Sequence, residues 1–154
     1  MIMRTIEEIM PRMRGLGKVL AKFNMVERNS FDFGIGIKLY PSEIHTLSAV
    51  DQLGGCGVTE LARESGVTKG AASQLVSKLV KKGLIVKETD PDNGSKVVLR
   101  LTDLGREASA NHYKFHLDHD RAFIDYLCAM PEEELRMFDE ICSKMDEWMD
   151  NYQK

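Results

Sequence analysis

His112 and His116 stand four residues apart. On a helix that spacing puts two imidazoles on one face, about one turn apart, where both can reach one metal ion. His45 and Glu27 offer a third imidazole and a carboxylate. Three imidazoles with one carboxylate make a closed tetrahedral zinc set, although imidazole-rich sites also take iron, nickel or copper. Nothing in the linear order brings the four together, and the bland alternative is polar residues on an exposed helix beside a satisfied, half-buried His45. His119 reads as a surface residue. A second group has a different chemistry. Lys69, Gly70, Ser73, Gln74, Ser77, Lys78 and Lys81 recur at helical spacing after Thr68. Gln and Lys can pair with base edges, while Ser and Lys can hold phosphates.

These residues need elements to position them. Ile6, Ile9, Met13, Leu16, Leu20 and Phe23 recur every three or four residues and predict an amphipathic first helix. Thr5 and Glu8 suit a capping box, Pro11 should kink the helix or delay its start, and Glu27 continues its stripe. Phe31 to Tyr40 reads as a loop containing Gly34 and Gly36. Pro41-Ser42-Glu43 opens a second helix that carries His45 and stops at Gly54-Gly55.

Val58 to Ser65 predicts a short helix, Gly66 a left-handed turn, and Thr68 to Lys82 a longer helix capped by Thr68 and ended by Gly83. Leu61, Ala62, Val67, Ala72 and Leu75 form the expected small core between these two helices. Leu84 to Thr89 and Lys96 to Leu101 are strand-like. The segment between them contains Asn93-Gly94, the pair of a tight hairpin. Its tip, Asp90-Pro91-Asp92, is acidic, and Lys96 and Arg100 belong to the hairpin. Thr102 then caps a long helix expected to reach about Met130. Pro131 and Glu132-Glu133-Glu134 open a last helix with the stripe Leu135, Phe138, Ile141, Cys142, Met145, Trp148, Met149 and Tyr152.

Composition narrows the function classes. The chain has 154 residues, with Lys+Arg 21 against Asp+Glu 24 and a net charge of -3. It is not a uniformly basic nucleic-acid coat. The charge is uneven: Gly66 to Arg100 sums to +4 and Asp118 to Asp150 to -8, which suits a polyanion partner for the middle segment. No apolar run approaches the roughly 20 residues of a membrane span, and Met1 to Leu20 lacks the apolar core of a secretory leader. Cys56, Cys128 and Cys142 form no CxxC pair, so reduced thiols in a cytoplasm are expected. An enzyme is not expected, because Gly66-Val67-Thr68-Lys69-Gly70 lacks phosphate-loop spacing and no Ser or Cys pairs convincingly with a His. Three other readings compete. Cys56 in its Gly-rich loop suggests a thiol sensor, but nothing near it lowers its pKa. Met10, Met13, Phe23 and Phe33 suggest an apolar pocket near a dimer interface for a phenolic or aromatic effector, although such residues more often form core. A helical interaction module without DNA binding is the third.

A helix–turn–helix followed by a two-stranded ribbon is a winged helix, with its second helix in the major groove and the ribbon along the backbone or in the minor groove. The run Leu39 to Leu53, then Val58-Thr59-Glu60-Leu61-Ala62, then Thr68 to Gly83-Leu84-Ile85, then Leu101-Thr102-Asp103-Leu104-Gly105-Arg106, resembles the MarR family of bacterial transcription regulators over nearly the whole chain. The resemblance implies a mainly α protein: a winged helix–turn–helix with N- and C-terminal dimerisation helices and one β-hairpin wing. Residues 1–38 and 103–154 would supply dimerisation, and 39–102 would bind DNA. It implies a homodimer on a pseudo-palindromic double-stranded operator, read by Thr68, Lys69, Gly70, Ser73, Gln74, Ser77, Lys78, Lys81 and Lys96. Many members carry wing arginines where this chain has Gly94 and Ser95, which leaves Lys96 as the nearest substitute. Glu27, His45, His112 and His116 match the ligand set of the family's zinc-responsive repressors of zinc uptake. Zinc would then act as corepressor by biasing how far apart the two winged domains stand. A second site of those relatives falls here on Phe33, Ile44 and Asn111.

Overall fold

The computed structural model describes residues 3–90, 93–94 and 96–152. In chain order these are α1 (Ile6–Val26), β1 (Phe31–Asp32), β2 (Lys38–Leu39), α2 (Pro41–Gln52), α3 (Val58–Glu64), α4 (Lys69–Lys81), β3 (Ile85–Thr89), β4 (Val97–Leu101), α5 (Asp103–His119), α6 (Arg121–Cys128) and α7 (Glu132–Asp150). The chain forms two compact units, Met1–Tyr113 and Lys114–Lys154, and the boundary falls inside the unbroken helix α5.

The winged helix in the first unit is built as the residue pattern predicts. Thr68 Oγ1 accepts from Ala71 N at 3.2 Å and caps α4. Gly66 and Gly83 take φ of 63° and 72°, the left-handed backbone that glycine adopts without steric cost. β3 and β4 pair antiparallel, Ile85 opposite Leu101 through Thr89 opposite Val97. The expected acidic tip lies partly outside the described residues, since Pro91, Asp92 and Ser95 are not among them. The core joins Leu39, Ile44, Leu47, Val50, Leu61, Val76, Leu79, Leu84, Ile85 and Leu99, all 1% exposed or less. Apolar side chains from three helices and the wing leave water together there, the main favourable term in folding.

The Leu-Thr-x-x-Gly-Arg segment locks the wing to α5. Thr102 Oγ1 donates to Gly83 O at 2.8 Å and accepts from Gly105 N at 3.0 Å, and Thr102 N donates to Leu84 O at 3.1 Å. Arg106 Nη1 donates to Leu101 O at 2.8 Å. A Cβ at Gly105 would lie 2.1 Å from Leu84 O, so the helix can approach the strand this closely only without a side chain.

Four expectations are corrected. Phe31 to Tyr40 is a small second hairpin, not a plain loop. Phe31 pairs with Leu39 and Asp32 with Lys38, while Asp32 Oδ1 accepts from Ile35 N and Gly36 N and closes the turn. Of the two outcomes open for Pro11, a kink or a delayed start, the delay is excluded, because α1 starts at Ile6 with the Thr5–Glu8 capping box formed. The long helix after Thr102 is two helices, because Asp120 leaves the helical backbone at φ -96°, ψ 4°; Asp favours helix ends over interiors. The core between α3 and α4 uses Val76 and Leu79 with Leu61, Ala62 and Ala72, whereas Val67 is 40% exposed and Leu75 half-buried.

Candidate metal centre and nucleic-acid interface

α2 brings His45 to the side of His112. Their ring centroids lie 5.2 Å apart. α5 carries His116 one turn beyond His112, and nitrogen atoms of His45, His112 and His116 all fall within 4.8 Å of one another. His112 is only 8% exposed, His116 is half-buried and His45 is exposed. An ion with bonds of about 2.0–2.1 Å in a tetrahedral site sets its ligand atoms roughly 3.3 Å apart. The cluster would have to contract by at most about 1.5 Å, within the reach of side-chain rotation. Three imidazoles are a donor set that zinc, copper, nickel and iron accept. Glu27 does not join this group; it is the C-cap of α1 and half-buried there.

The surroundings hold the rings. Ser48 Oγ lies 3.1 Å from His112 Nδ1, and Asp120 Oδ2 lies 2.5 Å from His116 Nδ1. Phe33, buried, meets His112 edge-on at 5.3 Å, and Asn111 Nδ2 donates to Phe33 O at 2.7 Å. Ile44 is core. Two of the three positions that would match a second site of the relatives therefore carry apolar packing, and the third an amide that ties down a loop. His119 stacks on Phe115 at 3.8 Å and bonds to its carbonyl oxygen at 3.0 Å. Ser48 and Asp120 escaped the sequence reading. Their signal was spacing alone, Ser48 three residues after His45 and Asp120 four after His116.

The DNA-facing candidates share one surface. Thr68, Lys69, Gly70, Ser73, Gln74, Ser77, Lys78 and Lys81 are all exposed at or along α4. Two of the hydroxyls are already used: Thr68 caps the helix, and Ser77 Oγ donates to Ser73 O at 2.9 Å. On the wing, Lys96 Nζ lies 3.8 Å from Asp90 and Arg100 Nε 3.1 Å from Glu88, so the wing neutralises part of its own positive charge. The far end of α4 is anchored: Lys82 Nζ reaches the buried Glu43 at 2.7 Å and donates to Lys38 O at 3.1 Å.

Of the residues named for the competing effector readings, Met10, Met13 and Phe23 are exposed on α1 and Phe33 is buried. Cys56 is buried and its backbone bridges Leu99. Burial, helped by the negative charge of Glu60, holds its thiol above the ordinary range, the reverse of what a reactive cysteine needs. Among the described residues no helix is long and apolar enough to cross a membrane.

Comparison with known proteins bears on the winged segment and on the fold. The model of the MarR family matches residues 39–97. The chain is similar to the uncharacterized HTH-type transcriptional regulator YhjH of Bacillus subtilis, 28% identical over 117 residues, which is 73% of this chain and 67% of that protein. It resembles the structure of ZitR, a zinc-responsive MarR family member from Lactococcus lactis, with TM-score 0.68 and 15% identity over 90% of this chain and 96% of that one. A mutant MarR from E. coli complexed with operator DNA superposes with TM-score 0.64 and 16% identity, covering 93% and 99%. At such identities the structural likeness is one of fold. The family and its curated relatives are transcription regulators, not enzymes. The winged helix with its capped and exposed basic α4 is the segment that the MarR family model matches, so over residues 39–97 the chain is similar to that family of transcription regulators.

Proposed function

We propose that this protein is a homodimeric repressor that binds a pseudo-palindromic operator more tightly when it holds zinc. The observation that carries the zinc reading is the convergence of His45, His112 and His116, and the zinc-responsive structural neighbour supports it. Glu27 is the proposed fourth ligand and would have to approach from the end of α1. Bound there, zinc would add a clamp between α2 and α5, which also meet through the Ser48–His112 contact. The chain's own residues do the rest. His45 belongs to α2, whose N-terminus is tied by Glu43 to Lys82 just past α4. A held α2 therefore favours one placement of the recognition helix, and operator affinity changes only as far as zinc prefers that placement.

In this reading residues 39–102 bind DNA, and residues 1–38 and 103–154 dimerise. The uncovered apolar side chains support dimerisation: Ile6, Met13 and Phe23 on α1, and Met137, Phe138 and Ile141 on α7, are exposed in the single chain. Ser73, Gln74 and Lys69 probe base edges, and Lys78, Lys81 and Lys96 hold phosphates, with Thr68, Gly70 and Ser77 at the same surface. The two α4 helices of a dimer must stand about 34–36 Å apart to enter successive major grooves. The test is operator affinity with and without zinc for the parent and the doubly substituted His112→Ala, His116→Ala chain. The parent should tighten with zinc and the variant should not, while both remain folded dimers. A variant that responds to zinc like its parent refutes the site.

A further inference from the structure

We propose that Asp120 and Ser48 are positioning residues for this centre: each holds Nδ1 of a cluster imidazole and so presents Nε2 to the ion. The inference rests on the zinc reading above. An imidazole that binds metal through one nitrogen carries its proton on the other, and the partner of that N–H sets tautomer, ring rotation and ligand basicity. His116 Nδ1 has a carboxylate oxygen of Asp120 at 2.5 Å, and His112 Nδ1 has the Ser48 hydroxyl at 3.1 Å.

Asp120 is itself fixed in place. Its N–H donates to His116 O at 2.8 Å, and its carbonyl accepts from Phe123 N and Ile124 N, each at 2.9 Å. The break between α5 and α6 thus sets a carboxylate one turn from a ligand histidine. As a surface pair, with side chains 43% and 49% exposed, it adds little to folding stability. Its removal should therefore leave the fold intact. Ser48 lies on the helix that carries His45, and Asp120 directly follows the helix that carries His112 and His116.

The experiment measures zinc affinity of the full chain by competition with a chromogenic chelator. It also reads the histidine tautomers of the metal-free protein by nitrogen-15 NMR. Asp120→Ala should weaken zinc binding by about 10–100-fold and turn His116 from an Nδ1–H tautomer to a mixture. Asp120→Asn should recover most of the affinity, because its carbonyl still accepts from Nδ1. Ser48→Ala should lose less, since a neutral acceptor bonds more weakly than a carboxylate. Zinc affinity unchanged in Asp120→Ala but lost in His116→Ala overturns the positioning role and leaves the zinc centre standing. Equal losses in the Ala and Asn variants with the tautomer unmoved also overturn it. If His116→Ala keeps the parent's zinc affinity, the centre fails and this inference with it.

Discussion

Lys78→Ala tests the DNA-facing surface most directly. Lys78 is exposed on α4, one turn after Gln74 and three residues before Lys81, and it takes part in none of the ion pairs found among the described residues. Its proposed work is to neutralise one phosphate. Each phosphate neutralised on duplex DNA adds about 0.9 to the slope of log affinity against log salt. A dimer presents Lys78 twice, so the variant should lose about 1.8 from that slope. Between about 0.05 and 0.2 M salt, the gap between parent and variant should then narrow roughly tenfold. The loss should be nearly the same on specific and unrelated duplexes, because a phosphate contact carries no base information. The assay is fluorescence anisotropy with labelled duplexes over a salt series. Lys144→Ala is the control, since Lys144 lies on α7 and is held by Glu147 at 2.9 Å. A slope unchanged in Lys78→Ala, or an equal change in Lys144→Ala, would show that α4 does not meet the backbone as argued.

Two further outcomes follow from packing and burial. Gly105→Ala should destabilise the fold by about 1–3 kcal/mol in urea denaturation, because the new Cβ would press on Leu84 O at 2.1 Å; a variant as stable as its parent would mean that α5 can withdraw from the strand freely. Cys56 should be alkylated far more slowly than the exposed Cys128, as peptide mapping would show. The folded state holds the Cys56 proton more tightly than the unfolded state does. The stability this contributes is therefore complete below the ordinary thiol range and is lost as pH rises through the folded-state pKa. Preferential labelling of Cys56 at neutral pH would contradict its burial.

Signals carried by neighbouring residues were legible in the sequence. Thr5 with Glu8, Pro41, Thr68, Gly66 and Gly83 announce helix starts, turns and stops because caps and left-handed turns depend on a few adjacent residues. The apolar stripes of α1 and α7 and the wing strands were legible for the same reason, through periodicity. Asp120 was not, since a single Asp inside a helical pattern ends the helix only where its neighbours favour it. The exposure of Val67 and the burial of Val76 were also hidden, because they depend on the angle at which α3 and α4 meet.

Residue types and their order alone determined a winged, basic segment between two amphipathic ends, and placed His112 and His116 one turn apart. The tertiary structure decided what distance along the chain conceals. It laid α2 against α5 so that His45 meets His112 across 67 residues, set Ser48 and Asp120 beside the His112 and His116 rings, and left Glu27 outside the group. Packing of non-adjacent helices sets those separations, and packing is a property of the whole core, not of any one segment.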